Sequence, residues 1–155
     1  MRKVLLSFVL TLCCTLAGAQ EYTVSNAGMS NNGSYMVRVE VSVKKKLPMP
    51  AEDLVMKYAA EGVMFRGITS VAGYGDQKPL IKDPNVQQTK AEFFTAFNNE
   101  KAYKRYCTIV PSSLVSIKNK QTKSIETTAI VQVDQVSLQK YLEESGVIKG
   151  FSNLW

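Results

Sequence analysis

The feature that most constrains the fold is one amphipathic segment, residues 50–67, which predicts the single long helix of the chain. Its apolar residues recur at three- and four-residue spacing, so they form one stripe along the helix. Pro50 suits the first helical position, and Gly67 follows the last turn as a stop signal. The stripe consists of Leu54, Val55, Tyr58, Ala59, Gly62 and Val63, and Met64 and Phe65 are assigned to the core with it. Because several of these residues are small, we expect the helix to pack closely against a sheet.

Alternating residues predict the first strands of that sheet. Residues 34–43 place valine or tyrosine at every second position, which is the pattern of a strand with one buried face. Residues 22–24 begin as a strand, but residues 25–33 have the composition of a loop. The segment before the central helix therefore predicts one long strand and one short one.

Two further strands are expected to form a hairpin. Residues 106–118 and 123–136 are both rich in β-branched residues, and the polar residues 119–122 separate them as a turn. Pro111 interrupts the first of the two, so we expect an edge, a bulge or a bend there. A hairpin requires antiparallel pairing, which indicates the type of sheet.

Two shorter helices complete the prediction. Thr89 and Glu92 form the capping-box pattern at the start of the second helix. Ser137 is expected to cap a final helix that Gly146 ends. Because helices and strands are mixed, the sequence predicts an α+β fold, a two-layer sandwich with a mainly antiparallel sheet of about three to five strands and helices on one face.

The N-terminus has the pattern of a secretory signal peptide. A short basic start precedes a run of apolar residues, and small residues at 17–19 form the cleavage site, so residues 1–19 are predicted to be removed. A lipoprotein signal is the alternative, but the residues before Cys13 and Cys14 are not small. Residues 20–155 are expected to form one domain, with 17 basic against 13 acidic residues and a formal charge of +4. We expect this domain in the periplasm or outside the cell, without a nucleic-acid partner.

The composition excludes several chemistries. The chain has no histidine, which removes Ser-His-Asp and Cys-His catalysis and histidine metal sites. Loss of the leader leaves Cys107 as the one cysteine, which forms neither an internal disulfide nor a cysteine zinc site within one subunit. Cys107 is predicted to be a buried small hydrophobe, with a free nucleophile or an intermolecular bridge as alternatives. No catalytic residue, metal or cofactor is therefore assigned.

Lysines and one long loop supply the candidate binding residues. Residues 68–88 have no obvious regular structure, and loops of this length often carry function. Lysines at strand ends can form a cationic edge for an anionic envelope partner, or they can serve only to solubilise the sheet and prevent edge pairing. The candidate binding residues are Lys44, Lys45, Lys46, Tyr74, Asp76, Lys78, Lys118, Lys120 and Lys123.

Several segments carry a resemblance to a known group of proteins. They are the Ala-Gly-Ala-Gln end of the leader, residues 62–67, residues 93–97 followed by Tyr103, and residues 138–150. Over most of the mature chain, the sequence resembles small secreted proteins of gut and oral Bacteroidota. The resemblance implies an envelope location and carries over no functional residue.

These observations predict an exported, non-enzymatic module that binds a protein or an anionic glycan of the cell envelope. One alternative is a hydrolase that uses carboxylates, which requires two acids within about 10 Å in a cleft. The other is a homodimer with a structural role, formed by pairing along an exposed strand. No transmembrane span is expected in the mature chain.

Overall fold

An antiparallel sheet forms one layer of the fold, in a computed structural model that describes residues 21–29, 32–69 and 75–150. Its strands are β1 (Glu21–Met29), β2 (Tyr35–Lys44), β3 (Cys107–Ile109), β4 (Val115–Asn119) and β5 (Ser124–Val133). The spatial order begins β1-β2-β5, and β3 and β4 pair one after the other with the far edge of β5. The leader predicted at residues 1–19 lies outside the described residues.

The second layer is helical. It contains α1 (Ala51–Glu61), which continues into a π-helical turn (Gly62–Arg66), then α2 (Val86–Thr89), α3 (Ala91–Asn99), a 3₁₀ turn (Ala102–Arg105) and α4 (Gln135–Glu144). Helix α1 packs against β2, β5 and β3. The predicted α+β two-layer sandwich with a mainly antiparallel sheet is therefore confirmed.

The core lies between α1 and every second residue of the two central strands. In β2 the valines at 37, 39, 41 and 43 are buried, and their register partners on β5 include the buried Thr127, Ala129 and Val131. The predicted stripe of α1 is buried against them, with Leu54, Val55 and Ala59 fully enclosed. The intervening strand residues face away from the helices, so the sheet has one buried face and one open face.

Close packing of α1 on the sheet depends on Gly62. A Cβ atom at Gly62 would lie 2.8 Å from a methyl group of Val24 on β1, which is shorter than van der Waals contact. At Gly62, the contact with Val24 thus confirms the prediction that small residues let this helix pack closely on a sheet. Met64 is buried as predicted, and Phe65 is partly buried against the core.

Strand β1 runs further than predicted, because residues up to Met29 pair with β2. The prediction that residues 25–33 form a loop was therefore wrong for the first five of them. A bulge between Asn26 and Gly28 shifts the register, and the Asn26 side chain accepts a hydrogen bond from the Gly28 N–H at 2.9 Å. The bulge accommodates Gly28, which has a φ of 123°, and pairing with β2 resumes at Gly28 and Met29.

The helix caps also differ from the predictions. Pro50 is the residue before α1 rather than its first residue. Thr89 does not cap a helix, because it ends α2 and its hydroxyl donates to the carbonyl of Val86. Helix α4 begins earlier than predicted, since the Asp134 carboxylate accepts hydrogen bonds from the N–H and the hydroxyl of Ser137. Gly146 ends that helix with a φ of 67°, as predicted.

The predicted interruption near Pro111 is confirmed, and it divides one strand path into β3 and β4. Ser112 has a φ of 62°, and the hydroxyl of Ser113 accepts a hydrogen bond from the Ile130 N–H at 3.0 Å. The side chain of Ser113 thereby substitutes for a strand partner at this point of β5. The predicted hairpin between β4 and β5 is also present, with register partners from Val115 with Thr128 to Asn119 with Ser124.

Candidate functional site

Six of the predicted binding lysines meet at one end of the sheet. We call this group, Lys44, Lys45, Lys46, Lys118, Lys120 and Lys123, the lysine end. Strand β2 ends where β5 begins, and β4 ends opposite the same residue, because Ser124 is the register partner of both Lys44 and Asn119. The N–H of Lys45 also donates a hydrogen bond to the carbonyl of Lys123 at 3.0 Å. The register of three strands thus places these lysines together.

The backbone of the lysine end is held in an uncommon conformation. Lys45 and Lys123 have φ values of 70° and 53°, in the left-handed region that favours glycine. The N–H of Lys46 bonds back to the carbonyl of Lys44 at 3.0 Å, which makes a tight three-residue turn centred on Lys45. A left-handed lysine costs on the order of 1 kcal/mol, so the surrounding hydrogen bonds must hold it in place.

Side-chain hydrogen bonds from Asn119 shape the adjoining turn. Its amide oxygen accepts from the N–H groups of Gln121 and Thr122 at 3.0 and 3.2 Å. This arrangement leads the chain from β4 through Lys120 to the left-handed Lys123. The polar turn predicted from composition therefore also determines the positions of Lys120 and Lys123 beside the ends of β4 and β5.

The charge of the lysine end is not neutralised by ion pairs within the described residues. All six side chains are exposed, and the four ion pairs found in that part of the chain involve other lysines. Adjacent strands lie about 4.8 Å apart, so the ends of β2, β5 and β4 fall within about 10 Å of one another. That spacing between the strand ends is comparable with the screening length in physiological salt, so the exposed lysines together give this end of the sheet a positive potential, with Lys44 and Lys118 on opposite faces of the sheet.

Two acids flank the lysine end without pairing to it. Glu21 and Glu126 are both register partners of Ser42, which lies on the open face of the sheet. The carboxylate of Glu126 accepts a hydrogen bond from the Asn119 amide at 3.5 Å. These acids mark where the positive surface ends and the mixed surface of the open face begins.

The predicted loop residues lie elsewhere. Gly75 is hydrogen-bonded through its carbonyl to the side chain of Asn26, and Asn26 is the register partner of Val37. Lys44 is seven residues further along β2, or about 23 Å away along an extended strand. Exposed Asp76 and Lys78 follow Gly75, so the structure does not bring them to the lysine end. Tyr74 lies outside the described residues.

The loop that carries Asp76 and Lys78 is more ordered than its composition predicts. Ile68 and Gln77 exchange two backbone hydrogen bonds, at 2.8 and 2.9 Å. The N–H groups of Leu80 and Ile81 donate to carbonyls of the π-helical turn, those of Val63 and Met64. Since these contacts join residues far apart in sequence, composition alone predicted an irregular segment.

A second charged cluster, missed by the sequence analysis, lies where α1 ends beside β1. The rings of Tyr22 and Tyr58 stack with centroids 4.0 Å apart, and the Arg66 guanidinium lies 3.9 Å from the Tyr22 ring centre. The Tyr22 hydroxyl donates to the carboxylate of Glu61, which is also 3.8 Å from the Lys57 ammonium. The i,i+4 spacing of Lys57 and Glu61 was visible in the sequence, but the contribution of Tyr22 was not.

Burial raises the pKa of two groups in this cluster, the Glu61 carboxyl and the Tyr22 hydroxyl. The pKa of Glu61 is raised above its usual value chiefly by loss of water around the carboxylate, with Lys57 and Arg66 opposing the shift. Burial, and then the negative charge of Glu61, raise the pKa of Tyr22 to about 12. The cluster therefore keeps a hydrogen-bonded tyrosine proton at neutral pH and joins the end of α1 to β1.

A third group of charges is structural. Asp53 is buried at the start of α1, and its two oxygens bind the ammonium groups of Lys101 and Lys104, each at 2.6 Å. Hydrogen bonds from these two lysines hold the pKa of Asp53 below its usual value. These two ion pairs connect the 3₁₀ turn to α1. Lys101, which precedes that turn, has a left-handed φ of 53°.

The cysteine is placed as predicted. Cys107 is buried at the edge of a cleft of about 460 Å³ between the start of α1 and the interruption after β3. Its thiol donates a hydrogen bond to the carbonyl of Met56 at 3.6 Å. Burial raises the pKa of this thiol to about 12, so the sulfur is protonated and weakly nucleophilic at neutral pH.

Comparisons of the chain with protein-family models, with curated proteins and with solved structures find no match. Among the residues that the structure describes, no helix has the length and apolar character of a membrane span. In the same part of the chain, no group of three or more acid or cysteine side chains is arranged to hold a metal ion.

Proposed function

We propose that the protein is an exported, non-enzymatic module of the cell envelope that binds an anionic partner, protein or glycan, through the lysine end. The observation that carries the proposal is the convergence of six exposed lysines from three strand ends, without ion pairs among the described residues. Export rests on the leader-like residues 1–19 and on the resemblance to secreted proteins.

Protection of a sheet edge accounts for only part of this lysine group. Lys118 and Lys120 lie at the end of β4, an edge strand, where charge discourages pairing with other chains. Lys44, in contrast, is the last residue of β2, and Lys123 directly precedes β5, and each of these strands has partners on both sides. A central strand has no free edge to guard, so the convergence of lysines there favours recognition of negative charge.

The conformational cost at this end also favours a binding role. Two lysines occupy left-handed backbone positions where glycine or asparagine would be less strained. Strained positions occur at ligand-binding sites, and in this chain they also occur in structural turns, at Lys101 and Ser112. The backbone hydrogen bond between Lys45 and Lys123 keeps the main chains of these two lysines side by side, so both side chains start from neighbouring positions.

A polyanion assay tests the proposal with heparin as the glycan probe and polyglutamate as the protein probe. The variant replaces Lys45, Lys46 and Lys123 by glutamine, and the control replaces Lys82, Lys90 and Lys149 by glutamine. Both variants lose the same charge at exposed positions. We expect the first variant to lose about tenfold or more in affinity for at least one probe, and the control to lose much less.

Salt provides the second measurement in that assay. Binding through the lysine end predicts that affinity falls with rising salt and that the dependence is weaker in the first variant. Equal losses in the two variants would show that only net charge matters, and the lysine end would not be a site. Failure of the unmodified protein to bind either probe would contradict the proposal.

A further inference from the structure

Strand β4 is exposed on both of its faces. Val115 and Ile117 point to the open face of the sheet with exposed fractions of 50% and 61%, and Ser116 and Lys118 on the opposite face are also exposed. A strand of a two-layer fold normally buries one face against the helices. Within the described ranges, β4 pairs with β5 on one side only, so a row of backbone N–H and C=O groups remains on its outer side.

The opposite edge of the sheet shows how this chain treats an edge that it covers. Along β1, the N–H of Asn26 donates to the carbonyl of Thr69 at 3.0 Å, and the Thr69 hydroxyl donates to the carbonyl of Val24. Arg66 donates to the carbonyl of Tyr22 at 3.2 Å. The residues after α1 thus occupy the hydrogen-bonding groups of β1. Strand β4 has lysines instead of such a cover.

We propose that β4 accepts an extended acidic segment of a partner protein as an added strand. The proposal rests on the proposed function, because it assigns the anionic partner to one class, an extended peptide. Main-chain hydrogen bonds to the outer side of β4 would supply affinity, and the alternate side chains of β4 would supply selectivity. The acidic charge of the segment complements Lys118 within β4 and Lys120 directly after it.

The two faces of β4 specify the sequence pattern of that segment. Side chains on the open face would pack beside Val115 and Ile117, and these two residues are apolar. Side chains on the other face would lie beside Lys118, which favours acidic groups, and beside Ser116, whose hydroxyl is hydrogen-bonded to Thr127. Since side chains of a strand alternate between faces, the preferred partner alternates apolar and acidic residues.

The same charges disfavour a second copy of this chain as the added strand. Antiparallel pairing of β4 with itself keeps each face of the sheet continuous, so Lys118 of both copies would lie on one face. Like charges placed in this way are destabilising, whereas an acidic segment gains from them. The lysines that disfavour self-pairing would therefore also select the partner.

A peptide-binding experiment tests the inference with the mature protein. The probe is a fluorescent peptide of about ten residues that alternates valine and glutamate. Two further peptides carry N-methyl groups on alternate residues, in one register or the other. Only alternate N–H groups of an added strand face the sheet edge, so we expect N-methylation in one register to weaken binding about tenfold or more. N-methylation in the other register should change affinity little.

Variants of the protein test whether the peptide binds at β4. Replacing Lys118 and Lys120 by glutamate should reduce affinity for the unmodified peptide about tenfold, and replacing Lys82 and Lys90 by glutamate serves as the control with equal charge change. NMR shifts of backbone amides should change at Val115–Asn119 on titration with the peptide. Unchanged circular dichroism would establish that both variants are folded.

The outcomes separate this inference from the proposed function. Equal affinity for all three peptides and for heparin would overturn strand addition and leave the lysine end as a charge-based site. Absence of binding to every anionic probe would overturn both proposals. Pairing of two copies along β4, detected as a dimer by sedimentation of the protein alone, would overturn the assignment of this edge to a partner peptide.

Discussion

The two outer edges of the sheet have opposite constructions. The β1 edge is covered by backbone and side-chain hydrogen bonds from residues 66–69 and 75–77, which are held by the close approach of Gly67 to Gln77. The β4 edge is short, exposed on both faces and accompanied by lysines. The chain therefore covers the β1 edge with its own hydrogen bonds, whereas at the β4 edge charged side chains act against pairing with other strands. Mutations should therefore affect stability at the first edge and association at the second.

The largest expected effect is at the β1 edge. Gly67 has a φ of 73°, and a Cβ atom there would lie 2.4 Å from the carbonyl oxygen of Gln77. Gly67→Ala should therefore lower the free energy of unfolding by about 2–4 kcal/mol, measured by urea denaturation. Gly75→Ala is the matched control, because a Cβ atom there would have nothing within 4 Å. Similar stability of the two variants would contradict the described cover of β1.

Hydrogen exchange gives the same variant a second readout. Loss of the loop contacts should speed exchange of amides in β1 more than exchange in β5, since the hydrogen bonds from the described loop residues to the sheet go to β1. Uniform acceleration across the sheet would indicate a global loss of stability rather than an opened edge.

An intermediate effect is expected from pH, through Glu61 near the β1 edge. Burial raises the pKa of Glu61 in the folded protein, so the folded state binds this proton more tightly than the unfolded state. The resulting stabilisation is complete below the unfolded pKa and is lost as pH rises through the folded pKa. Relative to Glu61→Gln, the unmodified protein should gain stability as pH falls across that interval.

The comparison with Glu61→Gln isolates this carboxyl. Asp53 and Asp134 have lowered pKa values in the folded protein and lose stabilisation as the pH falls, but they are the same in both proteins and cancel in the difference. Urea denaturation at several pH values supplies the two curves. A difference that is flat, or that grows towards alkaline pH, would contradict the effect of burial on Glu61.

The smallest effect on stability is expected at the β4 edge. Ile117→Thr removes an exposed apolar group and keeps a β-branched residue in a strand, so the free energy of unfolding should change by less than about 0.5 kcal/mol. Val39→Thr on β2 places a hydroxyl in the core and should cost about 1–3 kcal/mol. Thermal unfolding measures both. A large loss in Ile117→Thr would mean that this side chain stabilises the fold, and β4 would be less suited to accept a partner.

Local periodicity predicted much of the fold. The alternation in residues 34–43 and the spacing of apolar residues after Pro50 identified β2, α1 and their buried faces. The β4–β5 hairpin followed from turn composition between two β-branched segments. Each of these signals lies within one segment, where the side-chain period depends only on local backbone geometry.

The error at β1 arose because the deciding contact is distant in sequence, whereas the two errors at helix caps are local. The extension of β1 depends on Asn26, whose side chain bonds to Gly75 across 49 positions. The capping pattern at Thr89 was present but unused, since residues 86–89 form their own short helix. At α4, Asp134 and Ser137 both fit a cap, and the structure uses Asp134. At both caps the sequence offers more than one suitable polar residue within a few positions, and pattern alone does not rank them.

The candidate site shows the same limit. The six lysines of the lysine end were identified individually, but their convergence depends on the register of β2, β5 and β4. Asp76 and Lys78 were grouped with them by composition and lie along the β1 side instead. The Tyr22–Glu61 cluster was missed, because its members are joined by packing of α1 on β1.

Local sequence pattern was enough to identify α1, β2 and the β4–β5 hairpin and the buried faces of α1 and β2, since side-chain position repeats with the local period of the backbone. Only the tertiary structure decided which sheet edge is covered and which charges lie together. Those outcomes depend on strand register and on contacts such as the hydrogen bond between Lys45 and Lys123. Such contacts join residues that are distant in sequence, so they form only when folding brings the segments together.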